Sequence, residues 1–135
     1  MLDKYTKFVD GVTSEASKEH SSYIRALMRL ERQCQELNCN LARLDTAFTG
    51  LASEGGEALD LVKKLKFHGK DFTPEIREHL IKELGDVAWY FANGCKALDI
   101  DPEEVLIRNV KKLEARYPGG KFSIEKSENR EVGDI

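Results

Sequence analysis

The chain contains 135 residues, and its 21 Lys and Arg against 24 Asp and Glu leave a formal net charge of −3. This length is enough for one domain that buries its own core, and the acidic balance argues against a broad basic face for duplex nucleic acid. No apolar run reaches the roughly 18 residues of a membrane span, and no apolar signal-peptide core opens the chain. The three cysteines lack metal-ligand spacing. We therefore expect a cytoplasmic protein with reduced, mostly buried thiols.

Helical periodicity dominates the N-terminal half, and no stretch alternates with the period of a β-strand. A first apolar stripe that includes Tyr5 and Phe8 predicts a helix. The polar segment 13–22 is predicted to be a loop. Two further helical stripes follow, over 24–37 and 41–65, and the sequence leaves open whether they form one kinked helix or two.

Capping residues mark two helix starts in the C-terminal half. Thr73 before Pro74 predicts the start of a helix whose apolar stripe extends to Leu98. Asp101 predicts the start of the last helix, which Pro118 ends. Together the elements predict an all-α bundle of four or five helices, and their surplus of apolar stripes favours an oligomer.

Two acidic pairs are candidates for a metal site, because the members of each pair lie three residues apart on one helix face. Glu83 and Asp86 lie in the most apolar stretch of the chain, where clustered carboxylates need a cation. Glu54 and Glu57 flank two consecutive glycines, which predict a helix end or a close backbone approach. If the two helices face each other, the four carboxylates form an all-oxygen site suited to Mg²⁺ or Mn²⁺. Two solvated surface pairs are the alternative.

A second group of polar side chains is suited to a phosphate ligand. Asn109, Lys112 and Arg116 share one face of the last predicted helix, and Lys64 lies two turns beyond the first acidic pair. Cationic side chains beside bound Mg²⁺ are what a polyphosphate requires. The alternatives are ordinary solvated helix charge and, for Lys64, an ion pair with Asp60 at i,i+4.

Tyr90 and Asn93 continue the face of the second acidic pair, where they would touch a ligand, although Tyr90 is equally well placed as a core aromatic. The three histidines show no ligand spacing with cysteine, so zinc is not supported. The chain also lacks a phosphate-binding glycine loop and a nucleophile motif.

The order of these residues resembles a known family. Glu54-x-x-Glu57 followed by Glu83-x-x-Asp86, together with the ending from Asn109 to Pro118, is similar to the signature of the MazG-like all-α nucleoside triphosphate pyrophosphohydrolases. The resemblance covers well over half of the chain. It implies a domain over residues 1–123, and we expect residues 124–135 to form a flexible, charged tail.

The resemblance also implies an activity, namely hydrolysis of a (d)NTP to a (d)NMP and pyrophosphate, in cleansing or control of the nucleotide pool. Mg²⁺, or Mn²⁺ in its place, would be the cofactor, and Glu54 or Glu57 would position or deprotonate the attacking water. The family forms homodimers, often paired into homotetramers. By resemblance, the residues that bind the metal are Glu54, Glu57, Glu83 and Asp86, those that hold the phosphates are Lys64, Asn109, Lys112 and Arg116, and those that line the pocket are Tyr90 and Asn93.

Two other functions fit the same pattern. A non-catalytic helical module would keep the fold and use it to bind nucleotide or protein, although four intact acidic positions favour catalysis. A pyrophosphatase of a phosphoribosyl metabolite ranks lower, because the surroundings of Trp89 and Tyr117 resemble the nucleotide-directed branch of the superfamily.

Overall fold

The computed structural model describes residues 1–129, which form seven α-helices and no β-strand. The all-α prediction is therefore confirmed, with more helices than the four or five expected. In chain order the helices are α1 (Leu2–Val12), α2 (Glu15–Lys18), α3 (His20–Glu36), α4 (Leu41–Phe67), α5 (Pro74–Ala97), α6 (Pro102–Arg116) and α7 (Ile124–Glu128).

The segment 13–22 was wrongly predicted as a loop. It contains the short helix α2, and α3 already begins at His20. Lys18 stabilises this segment, because its Nζ lies 3.1 Å from Glu15 Oε1 and donates to the backbone carbonyl of Asp10 at 3.0 Å. Polar composition alone did not reveal these local bonds, and α2 packs closely against α3.

The two apolar stripes on either side of residue 39 form two separate helices. α3 ends at Glu36, and Asn38 adopts a φ of 56°, a left-handed conformation that asparagine tolerates. Asn40 then caps α4, since its side chain accepts the N–H of Arg43 at 2.8 Å. The backbone N–H of Asn40 donates to the carbonyl of Ala97 at 2.8 Å, which ties the start of α4 to the end of α5.

α4 and α5 form an antiparallel hairpin, which is the most extensive contact between helices in the described part of the chain. Gly69 follows α4 with a φ of 64°, the left-handed conformation in which glycine commonly ends a helix. Thr73 caps α5 as predicted: its hydroxyl accepts the N–H of Ile76 at 3.4 Å, and Pro74 begins the helix.

A close contact between Gly50 and Tyr90 fixes how the two helices are aligned. A Cβ atom at residue 50 would lie 2.0 Å from Cε1 of the Tyr90 ring, so the ring occupies the space that any other residue would fill. At the next level of the hairpin, Gly94 faces the side chain of Ala47. This alignment places the middle of α4 opposite the middle of α5, where both acidic pairs lie.

The buried core of residues 1–129 is small for a chain of this length. Its hydrophobic members are Cys34, Ala47, Cys95 and Ala97, and the three cysteines are free, as expected. Many large apolar side chains stay exposed on the long helices. Over the described range, no helix is both long enough and apolar enough to cross a lipid bilayer.

The predicted tail begins within the described residues. Its first part contains α7, whose N-cap residue Ser123 accepts the N–H of Lys126 at 3.4 Å. Residues 130–135 lie outside the described residues, so the flexibility of this tail stays a prediction.

Candidate functional site

The hairpin brings carboxylates from α4 and α5 together at one level. One oxygen of each of Glu54, Glu57 and Glu83 lies within 4.8 Å of the others. Glu57 is exposed, Glu54 is half-buried, and Glu83 is only 5% exposed. Three carboxylate oxygens this close, supplied by two rigid helices, form an oxygen-donor set of the kind that binds hard divalent cations.

Asp86 lies outside this group of three, although it follows Glu83 by one turn of α5. Asp86 is exposed, and its negative charge is one of the causes that raise the pKa of Glu54. Partial burial first, and then the negative charges of Glu57, Asp86 and Glu83, raise the pKa of Glu54 above its usual range. The three carboxylates therefore share an electrostatic environment with Asp86.

Glu83 has one satisfied and one unsatisfied carboxylate oxygen. Its Oε1 lies 2.9 Å from His79 Nε2, within ion-pair distance. Its Oε2 is buried, and no residue between 1 and 129 gives it a hydrogen bond. A buried carboxylate oxygen without a partner costs free energy, which a bound cation would offset. The donor set and this orphaned oxygen both fit Mg²⁺.

The glycine pair between Glu54 and Glu57 does not have the role expected from the sequence. α4 continues without interruption through Gly55 and Gly56, so the pair does not end a helix. A Cβ atom at either position would meet no atom within 4 Å, so no close backbone approach occurs within this chain. Packing against α5 keeps the helix intact despite the low helix propensity of glycine.

A cavity of about 290 Å³ lies beside the carboxylates. Lys64 lines it, but its Nζ lies 2.5 Å from Asp60 Oδ2, which is the i,i+4 pair considered as the alternative. This hydrogen bond lowers the pKa of Asp60. The lining residues are Ser53, Gly56, Glu57, Asp60, Leu61, Lys64, His79 and Glu83.

Tyr90 and Asn93 lie further along α5. Tyr90 is half-buried against Gly50, in agreement with the interpretation as a packed aromatic. Asn93 Oδ1 accepts a hydrogen bond from Arg43 Nη1 at 3.4 Å. Because Asn93 follows Glu83 by ten residues, it lies about 15 Å away along the helix axis, so it is remote from the carboxylates.

Three of the predicted phosphate-binding residues lie on α6. This helix contacts α5 over only a short stretch. Asn109, Lys112 and Arg116 are not among the residues that line the cavity, which all belong to α4 and α5. Within one chain, the structure therefore does not place these three side chains in the cavity beside the carboxylates.

Comparison with known proteins places this arrangement in a family. Residues 43–120 match the family model described as the MazG nucleotide pyrophosphohydrolase domain. The match covers more than half of the chain and contains all four acidic positions. The chain belongs to the MazG family.

The MazG domain is also similar to a viral protein. The chain is 42% identical over 73 residues to "Gene 37 protein" of Mycobacterium phage L5, an alignment that covers 53% of this chain and 63% of the relative. The chain thus spans less than two thirds of the length of this relative. No solved structure matches the chain significantly.

One residue beside the MazG carboxylates was missed in the sequence analysis. From the sequence, the histidines show neither zinc-ligand spacing with cysteine nor the Glu-x-x-His spacing of a di-iron site. His79 precedes Glu83 by four residues, and this spacing places two helical side chains within hydrogen-bonding reach. That signal was available in the sequence, whereas the burial that gives the pair its importance was not.

Proposed function

We propose that this MazG domain is a Mg²⁺-dependent nucleoside triphosphate pyrophosphohydrolase that converts a (d)NTP and water to a (d)NMP and pyrophosphate. The observation that carries the proposal is the convergence of Glu54, Glu57 and Glu83, with one buried oxygen of Glu83 lacking a protein partner. Family membership supports the reaction class. Control or cleansing of the nucleotide pool is the role that such a reaction would serve.

The metal would be held by Glu54, Glu57 and Glu83, and Asp86 would join them from the next turn of α5. Mg²⁺ is the expected ion, and Mn²⁺ would substitute for it, because both prefer carboxylate oxygens. When bound, the ion neutralises the charge of the triphosphate and polarises the α-phosphoryl group.

Proton transfer is assigned to the carboxylates of α4. The oxygen of a water molecule attacks the α-phosphorus, the bond from that phosphorus to the bridging oxygen breaks, and pyrophosphate leaves. Glu54 or Glu57 would orient this water and accept its proton.

The substrate is expected to extend along the hairpin. Lys64 lines the cavity beside the carboxylates, where it would exchange its pairing with Asp60 for a phosphate oxygen. Asn109, Lys112 and Arg116 would contact further phosphate oxygens from α6. Tyr90 and Asn93 would lie at the nucleoside end.

We propose that the protein assembles as a homodimer or homotetramer. The chain exposes 11102 Å², whereas a compact monomer of its 15.3 kDa would expose about 7,100 Å². The excess of about 4,000 Å² is several times the roughly 800 Å² that each partner buries in a standard interface. Much of this surface is apolar and lies on helices that contact little of their own chain.

The activity is tested by identifying products with phosphorus NMR after incubation of each common (d)NTP with Mg²⁺. We expect pyrophosphate and a monophosphate, with turnover lowered about 100-fold in Glu57→Gln and Asp86→Asn. Glu78→Gln, an exposed acid on another face of α5, is the matched control and should keep wild-type turnover.

Undiminished turnover in both acidic variants would contradict the assigned roles. Mg²⁺-dependent nucleotide binding without any product would instead support the non-catalytic binding module.

A further inference from the structure

His79 contacts Glu83, which is the most buried carboxylate in the site. Its Nε2 lies 2.9 Å from Glu83 Oε1, from one turn earlier on α5. The same imidazole lines the cavity beside Glu57 and Lys64. It therefore lies at the border between the carboxylate cluster and the space open to a ligand.

The two members of this pair differ strongly in exposure. The His79 side chain is 54% exposed, whereas Glu83 is buried. Exposed i,i+4 pairs contribute little because solvent competes for both partners. Here the carboxylate has lost most of its solvent, so its contact with His79 contributes more than the same contact would between two exposed side chains.

The two oxygens of Glu83 are consequently divided between two tasks. Oε1 is occupied by His79, and Oε2 is buried with no hydrogen-bond partner in the described chain. With Oε1 fixed, rotation of the carboxylate group is restricted, and its free oxygen keeps one position relative to Glu54 and Glu57. Partners of this kind that orient a metal ligand commonly change metal affinity by 10- to 100-fold.

We infer that His79 is a positioning residue, which holds Glu83 in the orientation that binds the divalent cation. This inference rests on the proposed metal-dependent function and adds a residue to its site. His79 would act through Glu83 rather than as a ligand of the metal itself. Its loss therefore weakens metal binding without removing a group from the chemistry.

Direct Mn²⁺ binding tests this role without relying on turnover. Free Mn²⁺ is measured by electron paramagnetic resonance in a titration of the full-length protein. We expect His79→Ala to raise the Kd for Mn²⁺ about 10-fold. His79→Gln should stay within about threefold of wild type, because its side-chain amide can donate to Glu83 from the same position. His20→Ala, at the start of α3, is the matched control and should leave the Kd unchanged.

Kinetics separate positioning from a direct catalytic role. In His79→Ala, the Mg²⁺ concentration for half-maximal turnover should rise about 10-fold, while kcat at saturating Mg²⁺ stays within about threefold of wild type. A group that transferred a proton would instead lower kcat at every Mg²⁺ concentration.

Each result decides the inference. An unchanged Kd in His79→Ala, or an equal loss in His79→Ala and His79→Gln, would overturn the role of His79 while leaving the proposed function standing. Absence of Mn²⁺ binding to the wild-type protein would overturn both. Helicity measured by circular dichroism identifies any variant that fails to fold, and His79→Leu, which keeps the side-chain bulk but has no group that can interact with the carboxylate, then takes the place of His79→Ala.

Discussion

At Glu54, charge repulsion and partial burial act in the same direction. Both raise the pKa of this carboxyl, so the folded protein holds the proton more tightly than the unfolded chain does. The contribution of Glu54 to stability is therefore present at low pH and is lost as the pH rises from its ordinary pKa through the raised one.

The raised pKa of Glu54 leads to a prediction for the stability of the metal-free protein. With a chelator at neutral pH, Glu54→Gln should melt at a higher temperature than wild type, because one repelling charge is removed. Added Mg²⁺ should raise the melting temperature of wild type more than that of Glu54→Gln, since a ligand that binds only the folded state stabilises it. A lower melting temperature for Glu54→Gln in chelator would contradict this view of the cluster.

Thr73 and Glu75 give a second residue-scale prediction, at the start of α5. The Thr73 hydroxyl caps the helix through Ile76 and lowers the pKa of Glu75. Thr73→Val should reduce the free energy of unfolding by about 1 kcal/mol at neutral pH. Part of this loss of stability comes from the Glu75 carboxylate. That part is present at pH values above the ordinary pKa of Glu75, and it disappears as the pH falls through the lowered pKa of Glu75 in the folded protein.

Denaturant unfolding over a range of acidic pH values checks this expectation. The difference between wild type and Thr73→Val should narrow as the pH falls. Thr46→Val is the control, because the hydroxyl that it removes donates to the carbonyl of Ala42 and not to a titrating group. The difference in the free energy of unfolding between this variant and wild type should therefore not change with pH. A difference for Thr73→Val that is constant with pH would exclude the link to Glu75.

The alignment of α4 on α5 is the element-scale feature on which the site depends. Gly50→Ala should destabilise the hairpin by about 1–3 kcal/mol, because the new methyl group would occupy the position of the Tyr90 ring. Gly11→Ala in α1 is the control: its Cβ meets open space, and the change should be neutral or stabilise the helix by up to about 1 kcal/mol. Thermal unfolding of both variants measures the difference, and equal stability of the two would refute the packing argument.

Local signals in the sequence were sufficient for some elements and not for others. The helix start at Thr73 was predictable because a capping side chain bonds the backbone three residues away. The segment 13–22 was predicted wrongly because polar composition does not distinguish a loop from a short helix such as α2, in which Lys18 pairs with Glu15 and bonds the carbonyl of Asp10. The low helix propensity of glycine did not predict that α4 continues through Gly55, because tertiary packing overrides that propensity.

From the sequence, only those features of the candidate site that depend on residue spacing within one helix were predictable. The i,i+3 spacing predicts that each acidic pair shares one helix face. Which acids converge depends on how α4 is aligned with α5, and that is set by the contact of Gly50 with Tyr90. For this reason Glu54, Glu57 and Glu83 meet, whereas Asp86 lies beside them. The buried state of Glu83 is likewise a tertiary property.

The exposed apolar surface is a property of the whole molecule. Leu106, Val110 and Leu113 are 56%, 52% and 41% exposed along one stripe of α6. Sedimentation velocity of the wild-type protein at micromolar concentration should give at least twice the chain mass of 15.3 kDa. Replacing Leu106 and Val110 by serine should shift the distribution to smaller species, because less apolar area is buried on association.

Lys111→Ser, an exposed polar position on the same helix, should leave the sedimentation of the wild-type assembly unchanged. A wild-type protein that sediments as a single 15.3 kDa species would contradict the proposed assembly.

We propose above all that carboxylates from α4 and α5 together form one site for a divalent cation. Anomalous scattering from crystals grown with Mn²⁺ tests it most directly. The account predicts an anomalous peak within coordinating distance, roughly 2 Å, of oxygens from Glu54, Glu57 and Glu83, and no peak there in Glu83→Gln crystals. Wild-type crystals grown with Mn²⁺ that show no anomalous peak between these side chains, or the same peak in Glu83→Gln crystals, would contradict it.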